Sequence, residues 1–306
     1  MNNTIVIYHG GCRDGFCSAW VYNKFRSANS IVNNVLDDSK IEYHPGYYGQ
    51  EPPDVKDKNV VILDFCYPLE VMIEIVKHCK SLVWLDHHKT AEPFIKFLHE
   101  EMKPFSPILD RVKYDFDNSR SGAGIAWDYF FPNQPRPWLV DYVEDRDLWN
   151  KKLQYSDEIN SFIACLEFNF DVWNQYESLT IGDAAISGKV AIMKTEQYVR
   201  EVCKNVYFAD IVHPQFKNQW DTPTHYKIPT VNICQVDCSE VLHELCSRHT
   251  LKPFAMYWFK RHDGMYQYGL RSIGDFDVSN VAKLFNGGGH RNASGFQLKY
   301  LLEELK

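Results

Sequence analysis

Three short apolar runs in the first 90 residues each end abruptly in polar chemistry. "TIVIYHGG" (4–11) closes on His9 and two glycines, "NVVILDF" (59–65) on Asp64, and "SLVWLDHH" (81–88) on Asp86, His87 and His88. Their apolar residues are continuous rather than alternating, and many are β-branched. That pattern predicts strands buried on both faces of a parallel sheet. Helical spacing lies between them: "DGFCSAWVYNKF" (14–25), and "LEVMIEIVKHC" (69–79) just after Pro68, a residue suited to starting a helix. Alternating strand and helix predicts a doubly wound α/β domain. Ligands of such sheets sit at the carboxyl ends of the strands, so His9, Asp64, Asp86, His87 and His88 should be gathered at one place.

Further helices are expected at "SGAGIAWDYFF" (121–131) and "WLVDYVEDRDLWNK" (138–151), the second with an acidic end at Glu144, Asp145 and Asp147. Helical spacing continues through 159–205. Strand-like runs then return with "VYFADIV", "IPTVNIC", "PFAMYWFKR" and "YQYGLRS", the last two joined by a hairpin with "HDG" at its tip. A helix over 277–285, capped by Asp277 or Ser279, precedes "NGGGHRNASGFQL". The expected organisation is a first domain over 1–160, a helical connection over 161–205, and a second, smaller α/β domain over 206–306.

With 306 residues and 45% hydrophobic content, the chain can bury two cores. Its net charge of −7 offers no general attraction for nucleic acid, so a polyanionic substrate would have to be met locally. The nine cysteines are odd in number and contain no CxxC pair, as expected for reduced thiols. With no signal-like start and no long apolar span, the reading is a soluble cytoplasmic protein without a membrane partner.

Imidazole nitrogens and carboxylate oxygens together form the mixed ligand set of Mn²⁺, Zn²⁺ or Fe. Unpaired carboxylates crowded into a buried crevice repel one another unless cations neutralise them. The three glycines of "NGGGH" leave the backbone open to close approach, and their N–H groups could form an anion nest, with His290 and Arg291 as added donors. Arg271, at the end of "YGLR", reads as a surface residue unless it is a partner of that loop. Tyr266 and Tyr268 offer rings for stacking but fit sheet packing more simply. A cysteine nucleophile, Cys12 or Cys17 beside His9, would leave the other acids and histidines unexplained.

"LDHH" after an apolar strand, "LDF" upstream, a first strand ending in histidine, and "GGGHRNASGF" near the C-terminus together resemble the DHH phosphoesterase superfamily. The C-terminal part resembles the DHH-associated domain of the oligoribonuclease and single-strand exonuclease branch. The resemblance implies a metal-dependent phosphodiesterase with its active site in the cleft between two domains, usually with two Mn²⁺ ions. It implies His9, Asp14, Asp64, Asp86, His87 and Asp145 at the metals, with Asp64 bridging them and Asp147 an alternative to Asp145. His88 would face the scissile phosphate. Arg271, Gly287, Gly288, Gly289 and His290 would hold the substrate. One departure stands out: the common first motif has two aspartates, whereas "HGGCRDGF" has only Asp14.

The expected reaction is in-line attack of water on phosphorus, assisted by two metals. The substrate would be a short oligonucleotide or a linear or cyclic dinucleotide, and a homodimer is compatible with the sequence. The rival readings are a phosphoanhydride hydrolase acting on pyrophosphate or polyphosphate, and a non-catalytic nucleotide-binding module.

Overall fold

The computed structural model describes residues 3–33, 40–100, 111–217 and 223–302. The chain divides into two compact units, 1–192 and 193–306.

The first unit is built on a five-stranded parallel sheet. Its strands are β1 (Thr4–His9), β2 (Ile41–Gly46), β3 (Asn59–Leu63), β4 (Ser81–Asp86) and β5 (Val112–Phe116), in the order β2-β1-β3-β4-β5. The three runs that stand out in the sequence are the three inner strands. Period-two geometry sends their apolar side chains to both faces. Ile5, Ile7, Val60, Ile62, Leu82 and Trp84 pack with α2 (Leu69–His78) and α3 (Glu92–Glu100) on one side. Val6, Val61, Leu63 and Leu85 pack on the other with α1 (Arg13–Asn33), α4 (Gly122–Phe130) and α5 (Trp138–Asp147). The strands missed in the sequence, β2 and β5, are the edges. β2 contains Pro45 and β5 reads VKYDF, so neither shows the continuous apolar run of a strand covered on both sides.

The stretch 161–205, expected as a connection, is helical. Its first part belongs to the first core. There α6 (Ser156–Ala164), α7 (Phe170–Glu177) and the start of α8 (Ile181–Val202) contribute Ile163, Trp173, Ala184 and Ala185. Trp173 is fully buried against Phe16 and Trp20, and the Trp20 indole donates to Asn174 at 2.8 Å.

In the second unit, β6 (Tyr207–Lys217), β7 (Pro223–Asn232), β8 (Ala255–Lys260), β9 (Tyr266–Arg271), β10 (Gly288–His290) and β11 (Ala293–Leu298) form a sheet in the order β10-β11-β9-β8-β7-β6. Only β7 and β8 pair in parallel, and α9 (Cys238–Arg248) makes the crossover between them. The β8–β9 hairpin turns at Gly264, which has φ +84°. Asp277 caps α10 (Val278–Leu284) by accepting from Ser279 N. No helix among the described residues is long and apolar enough to cross a membrane.

If 161–192 is part of the first unit's core, Trp173→Ala should destabilise that unit by about 3–5 kcal/mol, the usual cost of removing a buried large aromatic. Chemical denaturation followed by the fluorescence of the remaining tryptophans measures this. A change under about 1 kcal/mol would return the segment to the status of a linker.

Candidate metal centre

The carboxyl ends of β1, β3 and β4 bring His9, Asp64, His87 and His88 together, and α1 and α5 add Asp14 and Asp147. Two groups of donor atoms result, His9–Asp64–His88 and Asp14–His87–Asp147, each with its atoms within 4.8 Å of one another. Asp64 links them. Its Oδ2 lies 3.5 Å from His9 Nδ1, and its Oδ1 lies 3.1 Å from His87 Nε2 and 3.7 Å from His88 Nδ1. His87 Nε2 is also 3.7 Å from Asp14 Oδ2 and 3.6 Å from Asp147 Oδ2.

Local structure explains why Asp64 is available. Strand β3 stops one residue before it, and Asp64 turns the chain with φ +55°, a left-handed conformation that aspartate tolerates better than most residues. Its N–H still donates to Leu85 O at 2.8 Å, so the backbone stays tied to β4 while the side chain swings into the site. A glycine faces it: a Cβ on Gly122 would fall 2.5 Å from Asp64 Cβ. Gly15 has the same role beside His9, where a Cβ would meet His9 O at 2.3 Å.

Asp14 is held by a helix end. Its two oxygens accept from Gly122 N at 2.6 Å and Ala123 N at 2.8 Å, at the start of α4. Ser121 Oγ accepts from Gly124 N, and Glu144 accepts from Ser121 N. These four contacts satisfy N–H groups that a helix cannot pair internally, and negative charge is favoured at that end. Arg136 ties Glu144 to Asp128, and Arg120 joins Asp128 to Asp115 and Asp117. The sequence signal for this support was the small-residue run "SGAG", read only as a helix start.

Asp86, expected as a ligand or an orienting group, has one oxygen engaged in orienting its neighbours and the other, Oδ2, without a hydrogen-bond partner. Its Oδ1 accepts from His87 N, His88 N and His88 Nδ1, the last at 2.7 Å. Asp145, expected at the metals, is not part of the cluster. It is buried, and its carboxylate accepts from Lys152 N at 2.9 Å and from the Ser156 hydroxyl. Residues two apart on a helix point about 200° from each other, so only one of Asp145 and Asp147 can face the strand ends. The structure turns Asp147 there.

The donor set fits divalent cations. Asp64 Oδ1 and Oδ2, His9 Nδ1 and Asp86 Oδ2 are buried polar atoms without a hydrogen-bond partner in the protein, the close contacts of Asp64 lacking hydrogen-bond geometry. Such atoms are costly to bury unless something else satisfies them. Protons carry part of this role in the protein alone. Burial pulls the His87 imidazole down, but Asp64, Asp14 and Asp147 outweigh it and hold its pKa up at about 10. Burial, then repulsion from Asp64, raises the Asp147 carboxyl to about 6, and the same pair of causes raises Asp14. Burial would raise Asp64 too, but the neighbouring imidazoles of His87 and His9 hold it low.

In the second unit, Arg271 ends β9 opposite Ala293. Gly288 to His290 form the exposed edge strand β10, paired with Ala293–Gly295, with Gly289 at φ +136°. Gly287 is needed for packing, because a Cβ there would meet Gly295 O at 2.1 Å, whereas a Cβ on Gly288 would meet nothing within 4 Å. Tyr268 is a core residue stacked on Phe296, and Tyr266 packs against Trp258.

The two acids of α5 should separate cleanly. Asp145→Ala should cost about 1–3 kcal/mol of stability by orphaning buried donors, and should leave metal uptake unchanged. Asp147→Ala should lose metal affinity without a comparable loss of stability in the metal-free protein. Metal titration and thermal melting of both variants check this.

No family model matches the chain. An uncharacterised protein of Acanthamoeba polyphaga mimivirus is 29% identical over 304 residues, covering 95% of this chain, and the chain spans 66% of that relative's length. Among solved structures, a DHH domain from a member of a ribosomal-protein family superposes with a TM-score of 0.53 at 13% identity, over 96% of this chain and 82% of that one. An exopolyphosphatase-related protein of Bacteroides fragilis gives 0.52 at 13% identity, over 99% and 88%. The exonuclease RecJ bound to manganese gives 0.51 at 12% identity, over 97% and 86%. Over nearly its whole length, the chain shares the fold of these proteins, one of them a DHH domain.

Proposed function

We propose that the protein is a metal-dependent phosphodiesterase acting on short oligonucleotides or on linear or cyclic dinucleotides. The observation that carries this reading is Asp64, a buried carboxylate with no hydrogen-bond partner for either oxygen, which belongs to one group of ligand-type side chains and lies 3.1 Å from His87 of a second. His9 and Asp64 would hold one divalent ion, with His88 beside them left to face the phosphate, and Asp14, His87 and Asp147 would hold the other. Two such ions, Mn²⁺ in the reading favoured here, supply Lewis acidity toward phosphate oxygens and lower the pKa of a water that attacks phosphorus.

The chain's own residues do the rest. Asp86 fixes the His88 ring through Nδ1, which leaves Nε2 as the position where a proton can be passed to the leaving oxygen. Asp14, tied to two backbone N–H groups of α4, keeps one carboxylate at a fixed place and spares it a search through rotamers. Gly122 excludes any side chain that would push Asp64 aside. In the second unit we assign Arg271, His290 and the backbone of Gly287–Gly289 to holding the substrate's phosphate or terminal nucleotide. The resemblance to an exopolyphosphatase-related protein keeps a second reading in play, hydrolysis of a phosphoanhydride.

One panel tests both. The purified full chain is given Mn²⁺ and offered short RNA and DNA oligomers, cyclic dinucleotides, phosphoadenosine phosphate and pyrophosphate. Release of nucleotide from the diesters, abolished by chelation and by Asp64→Ala and restored by Mn²⁺ only in the wild type, is the expected result. Exclusive turnover of pyrophosphate selects the second reading, and turnover by metal-free Asp64→Ala refutes both.

The second unit's role is tested separately. Arg271→Ala should lower kcat/KM on the best substrate by roughly 10- to 150-fold, the worth of one charge-assisted contact, with metal content unchanged. Gly288→Val should lower kcat/KM with little change in melting temperature, because the space around a side chain there is open. Wild-type kinetics in both variants would remove these residues from substrate binding.

A further inference from the structure

Five aromatic rings of the first unit are between 41% and 47% exposed: Tyr47, Tyr48, Trp149, Tyr155 and Phe168. Most are already engaged. Trp149 is covered by the Arg146 guanidinium at 4.4 Å and the Lys151 ammonium at 4.8 Å. Tyr155 lies under the Lys189 ammonium at 5.9 Å, and Phe168 stacks on Phe16 at 5.0 Å. Tyr48 packs against His9 at 5.4 Å and Phe65 at 5.0 Å, forming part of the wall of the metal centre.

Tyr47 is different. It follows β2 directly, and its ring rests on the backbone of Gly10, the residue after His9. A Cβ on Gly10 would fall 2.6, 2.7 and 2.9 Å from its Cζ, Cε1 and Cε2. The hydroxyl oxygen is not among the three nearest atoms, so the ring meets Gly10 with its face and not its tip. The glycine is what lets the ring lie there, and Gly10 N is anchored to Gly46 O at 2.8 Å. Among the described residues no ring and no cation packs on Tyr47. The result is an exposed flat ring, backed on one side by the main chain of Gly10, the residue that follows the ligand-type His9.

We propose that Tyr47 is the platform on which a nucleobase of the substrate stacks while the adjoining phosphate lies at the His9–Asp64 group. An aromatic ring recognises the π-face that every base has and that inorganic polyphosphate lacks. Tyr47 therefore makes the centre selective for nucleotides, with little preference among bases. The proposal takes the position of the phosphate from the reading above and does not depend on hydrolysis.

The test compares binding of adenosine 5′-monophosphate and ribose 5-phosphate to the full chain in Mn²⁺ by titration calorimetry. The proteins are the wild type, Tyr47→Phe and Tyr47→Ala, with melting temperatures recorded alongside. The wild type should bind the nucleotide about 5- to 150-fold more tightly than the sugar phosphate, the usual range for one base–aromatic stack. Tyr47→Phe should keep that preference. Tyr47→Ala should abolish it while leaving ribose 5-phosphate affinity unchanged. Equal wild-type affinities, failure to bind either probe, or an equal loss for both probes in Tyr47→Ala would overturn the proposal. A Tyr47-dependent preference in a protein that hydrolyses no diester would leave the platform standing and remove the hydrolase reading. Hydrolysis without any base preference would do the reverse.

Discussion

The rest of this site depends on the cost of burying Asp64. Its carboxylate is 1% exposed, has no hydrogen-bond partner in the protein, and lies close to Asp14 and Asp147. A fold gains nothing in stability from such an arrangement. The surrounding imidazoles neutralise part of the charge, and His87 holds its proton far above the ordinary histidine range as a result. Divalent cations would do the same more completely, and would leave those imidazoles neutral and able to coordinate.

Holding such a cluster in place requires a frame that does not give way. The parallel sheet supplies the strand ends, and α4 supplies the clamp. The N-terminus of α4 faces the strand ends, so its unpaired N–H groups take up Asp14, and Gly122 lets the helix approach Asp64 closely. The pairing of Arg136 with Glu144 and Asp128, and of Arg120 with Asp128, Asp115 and Asp117, lies behind that helix start. Partly exposed ion pairs of this kind add little stability one by one, but as a network they restrict how α4, α5 and the end of β5 can shift. Asp147 from α5 brings a further carboxylate to His87 from the opposite end of the domain's sequence.

The same residues show where a linear reading loses resolution. Inner strands are legible because both faces are buried and the apolar run is unbroken. The edge strands β2 and β5 are half-covered, so their composition does not differ from that of a loop. Asp145 and Asp147 illustrate a different limit. Both are acids in the same helix turn, and their roles are opposite: one binds Lys152 N and the Ser156 hydroxyl, the other faces His87. Composition and spacing are identical for the two assignments. The glycines of "NGGGH" were legible as a place of close approach, but the pairing of Gly288–His290 as an edge strand was not, because glycine is compatible with nearly every backbone conformation.

By itself the sequence determined the doubly wound class of the first unit, the positions of its inner strands, and the set of residues at their ends. These follow from periodicity and from where each apolar run stops, which are local properties of the chain. Only the tertiary structure decided which α5 acid reaches the cluster, that Asp86 Oδ1 holds the His88 ring, and that the helix stretch 161–192 completes the first core. It alone revealed that Gly122 lies against Asp64 and that the Tyr47 ring rests on Gly10. Each of these depends on which face of one element meets another, and residues about 110 positions apart, such as Asp14 and Gly122, become neighbours only through packing.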